Sequence, residues 1–456
     1  MFVQWVFHTD AVSASVNSGG VAVDLYRFAF VATLTCFGAL SPSGASLAQG
    51  QAPSGDQVTT GTRSATSNPT LAHDGVRWSG IRPIVTLADG NFTVQPVARI
   101  DLHAGSYFDQ PAGLTDRFSS GTNVRRGRLG LRGTVARDIA YNFTWELAPS
   151  TPQEPPRGGR LFELSVAYTG IQGVNIQAGA WTLPHTLAYA TSSSELIFIE
   201  RPSITALATS IASGDTRIAA GAEFRGSRWY TSAFLTQGVA STLHDSDQGG
   251  VVGRAAGLAL DGTVKVQLGV NGAYQSHPGS NSSEAQRLRD YPELRLNSFR
   301  YADTRSIPAN SSWAIGPELS GMIGKLHFAA EYQNIEIATK TGPDLNFDGW
   351  YINVAYPLLG EPRRHNANSA TWRRGTGKDV DFQNDWGALE LAAGYSAVNL
   401  NDERVRGGRQ GIWSTALNWY PTTQTKLTLQ YQNGTIDIPG RDRDFQSIAL
   451  AFIFNL

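Results

Sequence analysis

The last nine residues constrain the fold more than any other stretch of this chain. Ile448, Leu450, Phe452, Phe454 and Leu456 fall on one face of an extended segment, while Ala449, Ala451 and Asn455 share the other with a single exception, Ile453. A terminal strand this apolar invites pairing with other chains unless it is covered. In lipid the problem disappears if the sheet closes on itself, because every strand is then paired on both edges and its apolar face meets hydrocarbon.

The rest of the chain repeats the pattern. Sixteen runs of about eight to fourteen residues with period-two alternation begin near residues 91, 123, 139, 161, 173, 216, 228, 248, 262, 312, 324, 345, 386, 411, 424 and 445. The expected fold is all-β, a transmembrane 16-stranded antiparallel β-barrel over residues 91–456. An even count returns both ends to one side. The mean hydropathy is negative and no long apolar segment interrupts the interior, as expected when every second strand residue faces water. Connections alternate in length as well. Tight turns lie at Ala136-Arg137-Asp138, Arg225-Gly226-Ser227 and Gly324, whereas long polar segments occupy 108–122, 149–160, 182–215 and 276–311. One rim therefore carries short turns and the other long loops. Residues 361–384 break the rule with a long, basic connection on the short-turn side, which either folds back into the barrel or stands out as a solvated excursion. Tyr168, Trp181, Trp229, Tyr230, Trp350, Tyr351, Trp413, Trp419 and Tyr420 lie near strand ends, where interfacial aromatic girdles are expected.

The other terminus points to export. Arg27 precedes an apolar run from Phe28 to Leu40, followed by Ser46-Leu47-Ala48, a small-x-small cleavage pattern. Residues 1–48 are read as a signal peptide and the mature chain is expected to start near Gln49. The acidic, overlong stretch 1–22 fits a mis-called start. Residues 49–90, rich in Ser, Thr, Gly and Gln as far as Ala72, are expected to form a flexible periplasmic tail. The lone Cys36 lies in the apolar run, so cleavage removes it and excludes disulfides and thiolate metal sites. Removing residues 1–48 also takes away Arg27, Asp10 and Asp24, leaving acidic and basic residues equal in number. Of the 37 basic residues only five are lysine, and the other 32 are arginine, the side chain suited to bidentate oxyanion binding. A GC-rich genome explains the same bias.

Strand parity assigns faces. In Val124 to Val135 the apolar Leu129, Leu131 and Val135 point to lipid, which sends Arg126, Arg128 and Arg132 inward as a ladder of cations. By the same rule Arg99, Asp101 and His103 project inward from the first strand, and Asn142, Thr144 and Glu146 from the third. Arginines about 6–7 Å apart along a strand repel unless something negative lies between them. Either Asp101 and Glu146 neutralise them and brace the wall, or the ladder attracts anions. The connection from Thr182 to Asp215 carries Ala190-Thr191-Ser192-Ser193-Ser194 and then Glu200-Arg201-Pro202, hydroxyl donors and a charge suited to an anion.

The chain carries Val124-Arg125-Arg126-Gly127-Arg128-Leu129, Ala167-Tyr168-Thr169-Gly170, Ala190-Thr191-Ser192-Ser193 with Glu200-Arg201, Gly360-Glu361-Pro362-Arg363 and Asn418-Trp419-Tyr420. On these motifs, from about Val94 to Leu456, it resembles the phosphate-selective porin O and P family of outer-membrane channels. It implies a trimeric outer-membrane porin for phosphate and polyphosphate. Arg125 and Arg126 would be the paired constriction arginines, Ser192 and Ser193 the hydroxyl donors of an inward loop, Arg201 its arginine, and Arg99 a lower rung. Parity puts Arg125 on the outer face, so it lines a pore only if the strand bulges there. Two positions depart from the family: Tyr189 stands for a lysine and Phe162 for an aspartate.

The expected function is passive conduction of small anions, phosphate or polyphosphate among them. The alternative is a non-selective diffusion porin with a charge-balanced lumen. Expected partners are inorganic phosphate or other small anions, outer-membrane lipid and two further copies in a homotrimer, with no nucleic acid. No cofactor, metal site or enzymatic activity is expected, since the histidines lack metal-ligand spacing and no nucleophile or phosphate-loop motif occurs. Adhesion through the loop from Ser276 to Ser311 is a further reading.

Overall fold

Alternating apolar residues pair into strands that differ in their surroundings on each face. The computed structural model describes residues 74–112, 116–149, 159–240, 248–280, 283–377 and 385–456. Its first eight barrel strands are β1 (Phe92–Phe108), β2 (Gly121–Val135), β3 (Ile139–Glu146), β4 (Arg160–Tyr168), β5 (Val174–Trp181), β6 (Arg217–Arg225), β7 (Trp229–Val239) and β8 (Gly249–Asp261). The second eight are β9 (Val264–Ser276), β10 (Ile307–Ile323), β11 (Leu326–Thr339), β12 (Leu345–Leu359), β13 (Ala388–Asp402), β14 (Val405–Tyr420), β15 (Thr425–Ile438) and β16 (Phe445–Asn455). Each pairs with the next in antiparallel register, and β16 returns to β1, from Gln446 opposite Phe108 to Asn455 opposite Arg99. The sheet is a closed 16-stranded barrel.

The expected signal peptide and the tail as far as residue 73 lie outside the described residues. Residues 75–87, expected to belong to that flexible tail, instead form a hairpin of Gly75–Ser79 and Arg82–Leu87. Its second strand pairs Val85 with Val94 and Leu87 with Phe92. The reason is geometric: β16 ends opposite Arg99, so the first residues of β1 overhang it, and the hairpin engages backbone groups that would otherwise form an open edge.

The outer face is apolar where parity placed it. Leu129, Leu131, Leu235, Leu268, Ile315, Ile352 and Leu450 are all exposed on the outside. Tyr168, Trp229, Trp350 and Trp413 also face outward, but Trp181, Tyr230, Tyr351 and Tyr420 are buried within the barrel. Each of these four has the parity opposite to the lipid-facing residues of its strand, which position near a strand end does not reveal.

The inner face is not uniformly polar. Phe234, Val252, Ile335, Ile337, Leu345, Phe347, Val398 and Leu400 point inward from β7, β8 and β11 to β13 and are nearly inaccessible to water. One arc of the inner wall is thus apolar, while Arg99, Asp101, Arg126, Arg128 and Glu146 are buried on the inner face of β1 to β3. An apolar arc facing a water-filled lumen would be unfavourable by about 25 cal/mol per Å², so it recruits chain to cover it.

The face assignment predicts the outcome of an outward substitution. Leu129 is 56% exposed and sits midway along β2. Leu129→Arg should destabilise the refolded protein by about 2–4 kcal/mol, read from its urea midpoint in lipid vesicles. An unchanged midpoint would contradict the outward placement.

Candidate functional site

The cover for the apolar arc is the connection between β5 and β6. It enters the barrel through two helices, α1 (Leu187–Ala190) and α2 (Ser203–Ser210). Leu183, Leu187, Ile204, Leu207, Ala208 and Ile211 pack on Phe234, Ile335, Ile337, Phe347 and Val398. Glycines in the wall make room: a Cβ at Gly349 would lie 2.8 Å from Ile204, and one at Gly394 the same distance from Phe198. Polar anchors fix the loop's height. The Glu331 carboxylate on β11 accepts the backbone N–H groups of Leu187 and Ala188 at 2.7 and 3.0 Å and the Tyr351 hydroxyl at 2.7 Å. Further along, Lys426 and Asn418 donate to the carbonyls of Leu196 and Ile197, and Ile199 N–H donates to Gln430.

This course carries Glu200 across to the charged wall. β2 bulges at Arg125: Asp101 pairs with Arg126 and Leu102 with Val124, leaving Arg125 as the extra residue. The bulge lets Arg125 and Arg126 reach the same side, as lining the pore required of Arg125. Both Glu200 oxygens receive Arg125, and Arg126 reaches Oε2 at 3.4 Å. Arg126 also donates to Asp101 at 2.6 Å, and Asp101 accepts two bonds of 2.8 Å from Arg99. One rung below, Arg128 donates to Glu146 at 2.7 Å. Burial pushes the Glu200 carboxyl up, but the attraction of Arg125, Arg126 and Arg295 outweighs it and holds the group well below the usual carboxylate range.

The remaining expected site residues fall at different distances from this cluster. Arg132 points inward beside Gln95, with Nε 3.4 Å from the Gln95 amide oxygen. Ser192 and Ser193 are buried in the inward loop, with Ser192 Oγ 3.0 Å from Ser194 Oγ. Arg201 donates to the carbonyls of Ala188 and Thr191 at 2.7 and 2.8 Å, so it clamps the α1 turn. Its guanidinium also lies 4.5 Å from the Tyr189 ring centre, and that of Arg128 lies 3.4 Å from the Phe162 ring centre. The two positions that depart from the resembled family are thus both platforms beneath arginines. Phe162 reaches its place through a second bulge, between Thr144–Glu163 and Trp145–Leu161 on β3 and β4.

Two further connections fill the interior, one whose inward course the sequence reading missed and one for which it left two courses open. The connection between β9 and β10, considered above for adhesion, turns inward, and Leu288, Tyr291, Leu294 and Leu296 are buried. It contributes Arg295, held beside β2 by Asn123, which donates to its carbonyl, and paired with Asp290 at 3.4 Å. Burial alone would lower the Arg295 guanidinium, yet Asp290 and Glu200 raise it above its ordinary value. The apolar residues at 288, 291, 294 and 296 were the available signal, since a solvated loop has no use for them. From the opposite rim the basic connection after β12 also folds inward as far as it is described, its last part with Lys378 lying outside the described residues. Arg363 clasps Glu390 at 2.7 and 2.8 Å and donates to the Glu195 carbonyl. Arg254 binds Glu318 together with the carbonyls of Ser369 and Ala370, and Trp372 donates to Ser320 at 2.9 Å. Glu195 also accepts from Arg374 N–H at 2.7 Å, so this insert meets the β5–β6 loop.

Comparison with known proteins agrees with this architecture. A family model described as Phosphate-selective porin O and P matches residues 98–456. An uncharacterized protein of Caulobacter vibrioides is 26% identical over 410 residues, covering 83% of this chain and 76% of that protein. Porin O of Pseudomonas aeruginosa is 22% identical over 351 residues, covering 69% of this chain and 76% of that protein. The solved anion-selective porin from Comamonas acidovorans superposes with a TM-score of 0.52 at 12% identity, covering 80% of this chain and all of that one. At that identity the likeness concerns the fold.

Two outcomes follow from the loop anchors. Glu331→Ala leaves two backbone donors of α1 without their acceptor, a loss of about 1–3 kcal/mol each when buried. Single-channel recordings should then show noisier and larger conductance than the wild type, with Glu331→Gln in between. Burial also raises the Glu293 carboxyl from its ordinary 4.5 to about 8, where it accepts from Ser396 at 2.6 Å and Gln432 at 2.8 Å and faces Asp290 and Glu200. The folded state keeps the proton longer than the unfolded chain, so this seat loses stability as pH rises from the ordinary value through about 8. Proteolysis of the 277–306 segment should accelerate between pH 5 and 9, and Glu293→Gln should flatten the dependence.

Proposed function

The chain belongs to the phosphate-selective porin O and P family and resides in the bacterial outer membrane, and from that premise we propose that it conducts small anions passively, phosphate or polyphosphate among them. One observation carries the reading. Among the described residues, Arg125, Arg126 and Arg295 act together on Glu200, and Arg99 and Arg126 on Asp101, so guanidiniums outnumber carboxylates where the inward loop meets β1 and β2. Low-dielectric walls focus such an excess on whatever passes. A hydrated cation is repelled, and an oxyanion finds guanidinium donors whose geometry matches its own. A passive channel of this kind carries flux down the gradient. Assembly as a homotrimer belongs to the same proposal and rests on the family's general pattern.

The extensive ion pairing favours a second reading, a charge-balanced lumen of low selectivity. A single measurement separates the two. In a planar bilayer with a tenfold potassium chloride gradient, the first reading gives a reversal potential on the chloride side of zero and block of chloride current by millimolar phosphate. A potential near zero, with phosphate inert, would support the second, and cation preference would remove both.

A further inference from the structure

Glu200 sits where an anion bound by the arginine pair would sit. Arg125 addresses both of its oxygens and Arg126 shares one, so two guanidiniums converge on a single carboxylate, the arrangement with which they would hold a carboxylate or phosphate ligand. Asp101 differs in kind. It belongs to the wall strand β1 and is clasped by Arg99 through two bonds and by Arg126 through a third, so it stays with the barrel. Glu200 belongs to the inward loop, so turning its side chain away would break its bonds to Arg125 and Arg126 and no pairing of the sheet. A second observation marks the same place. His103 is 3% exposed, and neither ring nitrogen has a hydrogen-bond partner. It stands opposite Asn123, two residues from Arg125, and its charged neighbours are Glu200, Arg126, Arg125 and Asp101. A buried imidazole without partners is costly, and a ligand oxygen in the cluster would supply what it lacks.

We propose that Glu200 is a resident stand-in for the permeating oxyanion, filling the seat formed by Arg125 and Arg126 until a carboxylate or phosphate displaces it. The proposal rests on the anion-conducting reading and adds how the site discriminates. Exchange of one oxyanion for another on the same guanidiniums leaves the number of charge-assisted bonds nearly constant. The passing anion is then held weakly enough to leave, which conduction requires. Without the stand-in, the seat becomes a tight binding site that obstructs flow.

The test compares wild type with Glu200→Gln, Glu200→Ala and a control, Glu223→Gln. Glu223 is another buried acid of the inner wall, hydrogen-bonded by Asn175 and Tyr230, and its neutralisation changes lumen charge without emptying the seat. Acetate and inorganic phosphate are titrated separately against chloride current in planar bilayers, using protein whose heat-modifiable gel mobility matches wild type. The half-blocking concentration of at least one anion should fall tenfold or more in both Glu200 variants and stay within twofold in Glu223→Gln. The anion with the lower value identifies which of the two the seat fits better. Equal shifts in all variants would reduce the effect to general electrostatics and overturn the proposal, as would unchanged block in the Glu200 variants. Should wild type prove unselective while Glu200→Gln gains a saturable acetate or phosphate site, the anion-conducting reading falls and the stand-in role survives.

Discussion

The seam between β1 and β16 is the constraint on which the rest depends. Its pairs run from Gln446–Phe108 to Asn455–Arg99, and they turn an open sheet with two edges into a wall with an inside and an outside. Without closure, the alternation of Ile448, Leu450 and Phe452 with Ala449 and Ala451 would have no physical meaning, because neither face would be separated from the other. With it, every apolar residue of one parity meets hydrocarbon and backbone polar groups are satisfied within the sheet. The hairpin at 75–87 continues the same logic past the end of β16.

Closure alone would leave a wide lumen, and the apolar inner arc decides how it is filled. Phe234, Ile335, Phe347 and Leu400 cannot face water cheaply, so the β5–β6 connection lays α2 across them. That placement is then locked by groups that would themselves be costly if unpaired, chiefly Glu331 and Lys426. The insert from the short-turn rim packs Trp372 and Ala370 inside the barrel and meets the first insert at Glu195. Hydrophobic cover thus sets where the loop lies, and polar anchors set its register.

The charged cluster follows from the loop's position. Buried guanidiniums close to one another are tolerated only when carboxylates and hydrogen bonds compensate their loss of water, which accounts for Asp101, Glu146 and Glu200 lying among them. Bulges at Arg125 and Phe162 aim side chains that strict alternation would send to lipid. One supplies a second guanidinium to Glu200, and the other supplies a ring under Arg128. Arg295 joins the cluster from a position 170 residues further along the chain than Arg125.

Alternation by itself determined the barrel, its sixteen strands and the direction of Arg99, Arg126, Arg128 and Arg132, because a period of two is local and each residue reports its own face. The pair of readings for the ladder, neutralised or attractive, was also legible, since Asp101 and Glu146 share the inner parity. Only the tertiary structure decided that Arg201 clamps the α1 turn, that Tyr189 and Phe162 lie beneath arginines, that the 283–306 and 361–377 segments turn inward, and that Glu200 joins Arg125 to Arg126. Loops have no period, and a bulge shifts parity by one residue without a reliable mark in the sequence. Partners brought together across the barrel depend on how the wall closes, and no local pattern encodes that distance.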